Sequence, residues 1–247
     1  DTYNELNSGL PNAIKTFKKL REKGYEPLGV RIDSGDLKYL SNECKKELDK
    51  EGFKNIKITA SNDLDEYTIS SLKSQGASIN AWGVGTKLIT SAESPSLGGV
   101  YKLSASFKDN KFEPKIKLSE NPEKISNPGF KKVFRIYDKN NKAQADLITL
   151  HDEVIDTTKP LEIFHPVYTW KTKTFNEYSI KELLKPLFIN GKCVHTKKTV
   201  MEIKKYVQDE LNTLWDEYKR LLNPQIYYVD LSKKLWDLKT DMIDSKK

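Results

Sequence analysis

The sequence predicts an α/β protein whose pattern of secondary structure changes twice along the chain. Strand-like and helix-like segments alternate in residues 1–105 with the spacing of parallel strands joined by helices. Short strands and turns rich in Asp, Asn and Lys dominate residues 106–195. Apolar residues then recur at helical spacing in residues 196–247. We therefore expect βα units, then a β-rich region, then a helical carboxyl-terminal region, with boundaries at these positions.

The first region is expected to begin with a helix over residues 11–23. Pro11 suits the first turn of that helix, and Gly24 suits the position just after its end. A strand over residues 28–32 follows. The next apolar residues have helical spacing until Gly52, which predicts a second helix.

Two further strands are expected in this region, at residues 56–60 and 79–82. Between them, Asp63 and Glu66 have the spacing of a capping box, for a helix that ends at Gly76. This order of elements predicts one parallel sheet, because parallel strands need a crossover such as a helix between them.

The later regions contain different patterns. Residues 100–107 and 131–137 are predicted strands, and each is followed by a hairpin turn. A long amphipathic helix is expected over residues 200–221, closed by Pro224. Asp230 is expected to cap a last helix.

Composition excludes some classes of protein. No apolar run approaches the ~18 residues that a membrane-spanning helix needs, and no signal-peptide pattern is present. The two cysteines, Cys44 and Cys193, form no disulfide framework, which favours a reducing cytoplasm. The chain starts at Asp1 without Met, so we expect it to be a fragment of a longer protein.

The net charge of +7 raises the question of nucleic-acid binding. Most of it lies in residues 106–247, but only four of the 42 basic residues are Arg, which makes the commonest specific contact to a base. The lysines are spread along helices and hairpins without the aromatic residues of a stacking platform. A solvated lysine surface is therefore the expected interpretation, and nucleic-acid binding is an alternative.

Polar groups follow each predicted parallel strand, at residues 31–36 (RIDSGD), 61–63 (SND) and 83–86 (GVGT). In parallel α/β folds, functional groups collect on these loops at the carboxyl edge of the sheet. Each loop alone has a structural explanation, since the first two are also turn and N-cap sequences and the third matches neither a P-loop nor a GxGxxG fingerprint. Together they predict an anionic, hydroxyl-rich ligand. The three histidines match no zinc pattern and form no catalytic triad with a nucleophile.

The same loops lie within longer strings that resemble a known family. The principal strings are GVRIDSGDLKYLS (29–41), ASNDLDEYTISSLKSQGASINAWGVGTKLIT (60–90) and PSLGGVYKL (95–103), with flanking matches at 1–14, 116–135 and 229–238. They resemble nicotinate phosphoribosyltransferase, a type II phosphoribosyltransferase family, over its carboxyl-terminal half. The resemblance implies the later part of a TIM-like α/β barrel, followed by a β-rich region and a helical carboxyl-terminal region.

The resemblance also implies residue roles. It places Arg31 where the family binds the nicotinate carboxylate, and a planar guanidinium suits selection of the acid over the amide. It places Gly83, Gly85 and Thr86 where the family binds the 5-phosphate of phosphoribosyl pyrophosphate.

Further candidates from the resemblance are Asp33 and Asp36 as catalytic residues and Ser61, Asn62 and Asp63 as substrate-binding residues. Their individual roles stay open. The carboxylates could hold ribose hydroxyls, orient Mg²⁺ on the pyrophosphate, or stabilise positive charge at the anomeric carbon. No metal ligand is assigned within this chain.

The implied activity is formation of nicotinate mononucleotide and pyrophosphate, in NAD biosynthesis, with ATP as co-substrate and Mg²⁺ as cofactor. The resemblance further implies a cytoplasmic homodimer with the site at the subunit interface, without nucleic-acid or membrane partners. The family's phosphorylated histidine and nicotinate-stacking aromatic residue belong to its amino-terminal half, so we expect this chain alone to be inactive. Three alternatives remain: a sister enzyme for nicotinamide or quinolinate, a non-catalytic fragment or binding module that keeps the phosphate loops, and a nucleic-acid binder.

Overall fold

The computed structural model describes residues 3–245. The chain divides into two compact units, Asp1–Gly99 and Val100–Lys247. The separation of a β-rich from a helical region within the second unit stays a prediction.

The first unit contains a parallel three-stranded sheet in the order β1-β2-β3, with helices between the strands. This confirms the parallel arrangement predicted from the alternation of strand-like and helix-like segments. The elements are a π-helical turn at Glu5–Gly9, α1 (Leu10–Glu22), β1 (Gly29–Ile32), α2 (Leu37–Lys50), β2 (Lys57–Ala60), α3 (Glu66–Ser74), β3 (Ala81–Trp82) and α4 (Thr86–Ile89).

The core of this unit lies between α1, α2 and the sheet. Leu48 of α2 and Ile58 of β2 are fully buried there, and Phe53 packs edge-on against Phe17 of α1 with ring centroids 5.5 Å apart. Helical spacing of the apolar residues in α1 and α2 brings them onto one face of each helix, which is the face that the sheet covers. The sheet is thereby supported from one side while its strand ends stay accessible.

The predicted capping box at Asp63 is wrong. Asp65 is the N-cap of α3, since its Oδ1 accepts a hydrogen bond from the Thr68 backbone N–H at 2.7 Å. Asn62 and Asp63 have φ of 86° and 45°, whereas an N-cap residue needs an extended backbone. The left-handed turn therefore moves the start of the helix two residues further along the chain.

The second unit contains a six-stranded sheet in the order β10-β6-β7-β13-β8-β9 and two separate hairpins, β4-β5 and β11-β12. The strands are β4 (Ala105–Lys108), β5 (Lys111–Pro114), β6 (Lys131–Tyr137), β7 (Ala143–Leu150), β8 (Leu161–Phe164), β9 (Thr172–Phe175), β10 (Ser179–Glu182), β11 (Phe188–Ile189), β12 (Lys192–Cys193) and β13 (Val229–Leu231). The helices are α5 (Val200–Thr213) and α6 (Lys233–Asp244).

The β6-β7 hairpin is the centre of this unit. Residues of β7 alternate between buried and partly exposed, so one face of the strand contributes Ala145 and Leu147 to the core. The strand predicted at 131–137 is confirmed as β6. The strand predicted at 100–107 is displaced, because the paired residues are those of β4, which turn into β5 through Asp109 and Asn110 with left-handed φ.

The helix predicted over 200–221 is shorter than expected. It starts with a capping box between Thr199 and Glu202, as α5, and ends at Leu214, whose ψ of 146° is extended. The Nζ of Lys142 donates to the carbonyl oxygens of Asn212 at 2.8 Å and of Leu214 at 3.4 Å. This contact with the turn between β6 and β7 satisfies carbonyl groups where the chain leaves the helix.

Asp230 does not cap the last helix. It lies in β13, which pairs in parallel with β7 and antiparallel with β8, and it is buried. The N-cap of α6 is Ser232, whose Oγ accepts a hydrogen bond from the Leu235 N–H at 3.2 Å. Pairing on both sides requires an extended chain through Asp230, so the helix starts after the strand ends.

Within the described part of the chain, no helix is long and apolar enough to cross a membrane. Cys44 is buried, Cys193 is exposed, and both are free thiols.

Candidate functional site at the carboxyl ends of the parallel strands

The register of the first sheet brings the first two polar loops together. Ile32 of β1 pairs with Ala60 of β2, so Asp33 and Ser61, the next residues, leave the sheet side by side. The Ser61 N–H donates to the Ile32 carbonyl oxygen at 3.0 Å and extends the ladder by one step. The two loops are 28 residues apart in sequence but adjacent in the fold.

Arg31, Asp33 and Ser61 form a closed cluster at this edge. The Nη1 of Arg31 lies 2.6 Å from Asp33 Oδ1 and donates to Ser61 Oγ at 2.7 Å. The Ser61 hydroxyl donates a short hydrogen bond to Asp33 Oδ1. That hydrogen bond and the charge of Arg31 lower the pKa of Asp33 below its ordinary value, so Asp33 is a carboxylate at neutral pH.

This cluster is exposed to solvent. The Arg31 side chain is 58% exposed and the Asp33 side chain 36% exposed. Exposed ion pairs contribute little to stability, because water screens the charges and ordering the side chains costs entropy. The effect of the cluster is therefore to orient Arg31 more than to stabilise the fold.

The third loop reaches the same edge. Ala60 pairs with Trp82, and the N–H of the next residue, Gly83, donates to the Ala60 carbonyl oxygen at 2.7 Å. A Cβ at Gly83 would lie 3.2 Å from Cβ of Ser61, which is tighter than an ordinary contact. Glycine at position 83 therefore lets this loop approach Ser61 closely.

Thr86 begins α4, directly after Gly85. The Thr86 carbonyl accepts from the Thr90 hydroxyl at 2.6 Å. Within residues 3–245, the hydroxyl of Thr86 makes no hydrogen bond. Because α4 has only four residues, its dipole is small, and the donors available to an anion here are local N–H groups and this hydroxyl.

The other predicted site residues have different surroundings. One carboxylate oxygen of Asp36 accepts from the Tyr39 N–H at 2.9 Å and caps α2. Asn62 and Asp63 are exposed in their left-handed turn, and neither side chain is hydrogen-bonded within the described residues. The structure thus gathers Arg31 with Asp33, Ser61 and Gly83, whereas Asp36 has a structural partner of its own.

Two polar contacts near these loops were not anticipated from the sequence. The Ser34 hydroxyl donates to Glu5 at 3.1 Å, and Lys87 of α4 lies 3.3 Å from Asp65 at the start of α3. The first joins residues far apart in the chain, for which no local pattern exists. For the second contact the sequence did contain a signal, because Asp65 is as good an N-cap residue as Asp63. The three-residue spacing from Asp63 to Glu66 favoured Asp63, which is not the N-cap.

No group of three or more His, Cys, Asp or Glu side chains that could hold a metal ion occurs between residues 3 and 245.

The chain is similar to known proteins over its whole length. The model of the nicotinate phosphoribosyltransferase C-terminal domain matches residues 130–239. The nicotinate phosphoribosyltransferase of Bacillus subtilis is 46% identical over 248 residues, covering 100% of this chain and 50% of the relative. That of Caenorhabditis elegans is 39% identical, covering 96% of this chain and 43% of the relative.

The chain resembles nicotinate phosphoribosyltransferases along its whole length, and its residues 130–239 match the C-terminal domain of that family. It spans about half the length of the curated relatives that it matches. The crystal structure of human nicotinic acid phosphoribosyltransferase superposes with a TM-score of 0.76 at 26% identity, over 98% of this chain and 46% of the human chain. A nicotinate-nucleotide pyrophosphorylase from Pyrococcus furiosus shares the fold, with a TM-score of 0.52 at 20% identity over 81% of this chain. These likenesses support a transferase family and a mixed α/β fold.

Proposed function

We propose that this chain is the carboxyl-terminal half of a nicotinate phosphoribosyltransferase, which forms nicotinate mononucleotide and pyrophosphate from nicotinate and phosphoribosyl pyrophosphate in NAD biosynthesis. The observation that supports this most directly is the arginine cluster at the carboxyl edge of the sheet, next to the Gly83–Thr86 loop. One oriented guanidinium beside a loop whose Thr86 hydroxyl makes no hydrogen bond within the described residues suits two anionic groups at one site.

In this proposal, Arg31 binds the nicotinate carboxylate. Its guanidinium is planar and always charged, so it can pair with a carboxylate through two parallel hydrogen bonds. Nicotinamide has no carboxylate and would lose that pairing. The proposed enzyme therefore prefers the acid to the amide.

The 5-phosphate of phosphoribosyl pyrophosphate is assigned to Gly83, Gly85 and Thr86. Gly85 has open space where a Cβ would lie, so the main chain there is accessible to a phosphate, and the Thr86 hydroxyl adds a donor. Asn62 and Asp63, which are exposed between the other two loops, are assigned to the ribose hydroxyls. This assignment uses their unpaired amide and carboxylate groups.

The reaction joins the pyridine nitrogen of nicotinate to C1 of the ribose. The nitrogen lone pair forms the new N–C1 bond while the C1–O bond to pyrophosphate breaks and its electrons leave with pyrophosphate. The nitrogen is already a nucleophile, so the step needs no general base. The carboxylate of Asp36 is proposed to stabilise positive charge that develops at C1, whereas the carboxylate of Asp33 is held by Arg31 and Ser61.

The proposal also includes ATP as a co-substrate, Mg²⁺ as a cofactor, and a cytoplasmic homodimer with the site at its interface, as the sequence resemblance implies. The described residues do not fit a metal site of their own, so no step is assigned to Mg²⁺. Mg²⁺ commonly binds through substrate phosphates with few protein ligands. Neither nucleic acid nor a membrane is proposed as a partner.

The test measures turnover by the protein expressed from its complete reading frame, with nicotinate, nicotinamide or quinolinate as acceptor. We expect nicotinate to be preferred, and Arg31→Ala to raise its KM about thirtyfold or more, because a charge-assisted bidentate contact is lost. Arg220→Ala is the matched control, since the side chains of Arg31 and Arg220 are both 58% exposed. Equal turnover of nicotinamide, or unchanged nicotinate kinetics in Arg31→Ala, contradicts the proposal.

A further inference from the structure

The hydrogen bonds of Arg31 engage only one of its guanidinium nitrogens. Nη1 donates to Ser61 Oγ at 2.7 Å and lies 2.6 Å from Asp33 Oδ1 in an ion pair. A guanidinium has five N–H donors, and three of them are on the other two nitrogens, one on Nε and two on Nη2. Among the described residues, no acceptor lies against these three donors.

Arg135 shows what the same edge of a guanidinium does when it meets a carboxylate. Its Nε donates to Asp146 Oδ1 at 2.8 Å, and its Nη2 donates to Asp146 Oδ2 at 3.0 Å. Nε–H and one Nη2–H are parallel, so they match the two oxygens of a carboxylate. In Arg31 the edge formed by Nε and Nη2 is open, and Nη1 is the nitrogen in contact with Asp33 and Ser61.

Asp33 and Ser61 also support each other. The Ser61 hydroxyl accepts from Arg31 and donates to Asp33, so its single hydrogen is committed within the cluster. Three contacts among three side chains allow fewer rotamers of Arg31 than one ion pair would. Gly83 contributes by leaving space beside Ser61, where a Cβ would crowd it.

The negative charge of Asp33 allows two of its possible effects to be distinguished. One is orientation of the Arg31 guanidinium, and the other is a change in how strongly the cluster attracts an anion. Asp33 neutralises Arg31, so its presence weakens the attraction of the guanidinium for an incoming anion. If Asp33 mattered only through its charge, its removal would strengthen anion binding. If it fixes the direction of the open edge, its removal weakens binding although the net charge becomes more positive.

We propose that Asp33 and Ser61 are positioning residues, which hold Nη1 of Arg31 so that the Nε and Nη2 edge faces the substrate carboxylate, and that neither residue contacts that carboxylate. This inference rests on the proposed function for the identity of the carboxylate and replaces a direct role of Asp33 at C1. It assigns recognition of the acid to three side chains from two loops.

The first experiment compares Ser61→Ala and Asp33→Ala with Ser34→Ala in the protein from the complete reading frame. Ser34 lies in the same loop, but its hydroxyl donates to Glu5. We expect the KM for nicotinate to rise about tenfold in the first two variants with kcat nearly unchanged, because a hydrogen bond to a charged group is lost. Asp33→Asn, which keeps an oxygen acceptor, should recover part of the affinity.

Two outcomes overturn the inference. One is a lower KM for nicotinate in Asp33→Ala, which would show that Asp33 only weakens attraction. The other is a fall in kcat with unchanged KM, which would place Asp33 or Ser61 at the reacting centre.

The second experiment measures how fast phenylglyoxal modifies Arg31, by mass spectrometry of peptides. We expect faster modification of Arg31 in Ser61→Ala than in wild type, with Arg220 unchanged as the internal reference for folding. Equal rates at Arg31 contradict the positioning role. If wild type turns over no nicotinate, the proposed function fails, whereas the labelling rates still decide whether Ser61 holds Arg31.

Discussion

At the scale of single residues, the two arginines Arg31 and Arg135 differ because of their neighbours. Arg135 is 20% exposed and pairs with Asp146 and Glu210, and the hydrogen bonds that it donates to Asp146 raise its pKa further above an already high value. Its guanidinium is therefore engaged in contacts with other side chains of the fold. Arg31 is exposed and keeps its bidentate edge open, which is the property that recognition of an anion needs.

The first prediction at this scale concerns Thr86, whose hydroxyl has no partner among the described residues. Thr86→Val removes the hydroxyl at nearly constant volume, and we expect the KM for phosphoribosyl pyrophosphate to rise about tenfold while that for nicotinate stays constant. Steady-state kinetics with each substrate varied in turn measures both values. Thr90→Val is the control, because that hydroxyl is bound to the Thr86 carbonyl. An effect on nicotinate alone would contradict the assignment.

At the scale of secondary structure elements, close approach between β1 and β2 depends on one glycine. Gly29 pairs with Lys57, and a Cβ at position 29 would lie 2.6 Å from the Lys57 carbonyl oxygen. A backbone oxygen cannot rotate away as the end of a long side chain can. The two strands would therefore have to move apart. Their present spacing places Asp33 and Ser61 side by side, so that placement would be disturbed.

We therefore predict that Gly29→Ala lowers the free energy of unfolding by about 1–3 kcal/mol, through overpacking at a backbone contact. Chemical denaturation followed by circular dichroism measures the loss. Gly98→Ala is the control, because no atom lies within 4 Å of its added Cβ. A value for Gly29→Ala as small as that of the control would mean that the strands tolerate the extra atom.

The strand β13 contains a buried acid, and this makes the second unit sensitive to pH. Asp230 is 3% exposed, and burial raises its pKa, while His165, Lys171 and Lys173 act in the opposite direction. In the unfolded chain the carboxyl group has its ordinary pKa. Between the ordinary and the raised value, the folded state binds more protons, so stability falls as pH rises through that window.

We predict that Asp230→Asn removes this decrease. The difference in unfolding free energy, wild type minus variant, should become more negative as pH rises from about 3 to about 8. Denaturation of both proteins at a series of pH values measures it. A difference that is constant, or that grows more positive, would show that the cationic neighbours outweigh burial.

At the scale of the whole molecule, the chain accounts for about half of its relatives' length, and the proposed site is only partly contained in it. The described residues contain the arginine cluster and the Gly83–Thr86 loop. The sequence resemblance implies that an aromatic residue over nicotinate and a phosphorylated histidine come from the amino-terminal half. We therefore expect that this chain can bind substrate without catalysing turnover.

We predict that residues 1–247 alone catalyse no transfer with nicotinate, phosphoribosyl pyrophosphate, Mg²⁺ and ATP. Activity should return when the chain is mixed with the amino-terminal half of the Bacillus subtilis relative, which is 46% identical over the present chain. A Thr86→Val chain in the same mixture should restore activity only at about tenfold higher phosphoribosyl pyrophosphate, because its KM for that substrate is raised. Turnover by residues 1–247 alone would contradict this prediction.

The sequence by itself was enough for the order of elements in the first unit and for the loops of the candidate site. Helix starts, glycine stops and apolar spacing are local properties, so α1, α2 and the parallel strands could be predicted from nearby residues. The strings over residues 29–41, 60–90 and 95–103 together carry the family resemblance, because it depends only on the order of residues along the chain.

Tertiary structure decided what depends on residues far apart in the chain. Whether Asp230 caps a helix or lies in a strand depends on pairing with β7 and β8, and the end of α5 coincides with contacts from Lys142. The open edge of Arg31 follows from the pairing of Ile32 with Ala60, which brings Ser61 to Asp33. Hydrogen bonds act over a few ångströms in space, so their partners are known only when the chain has folded.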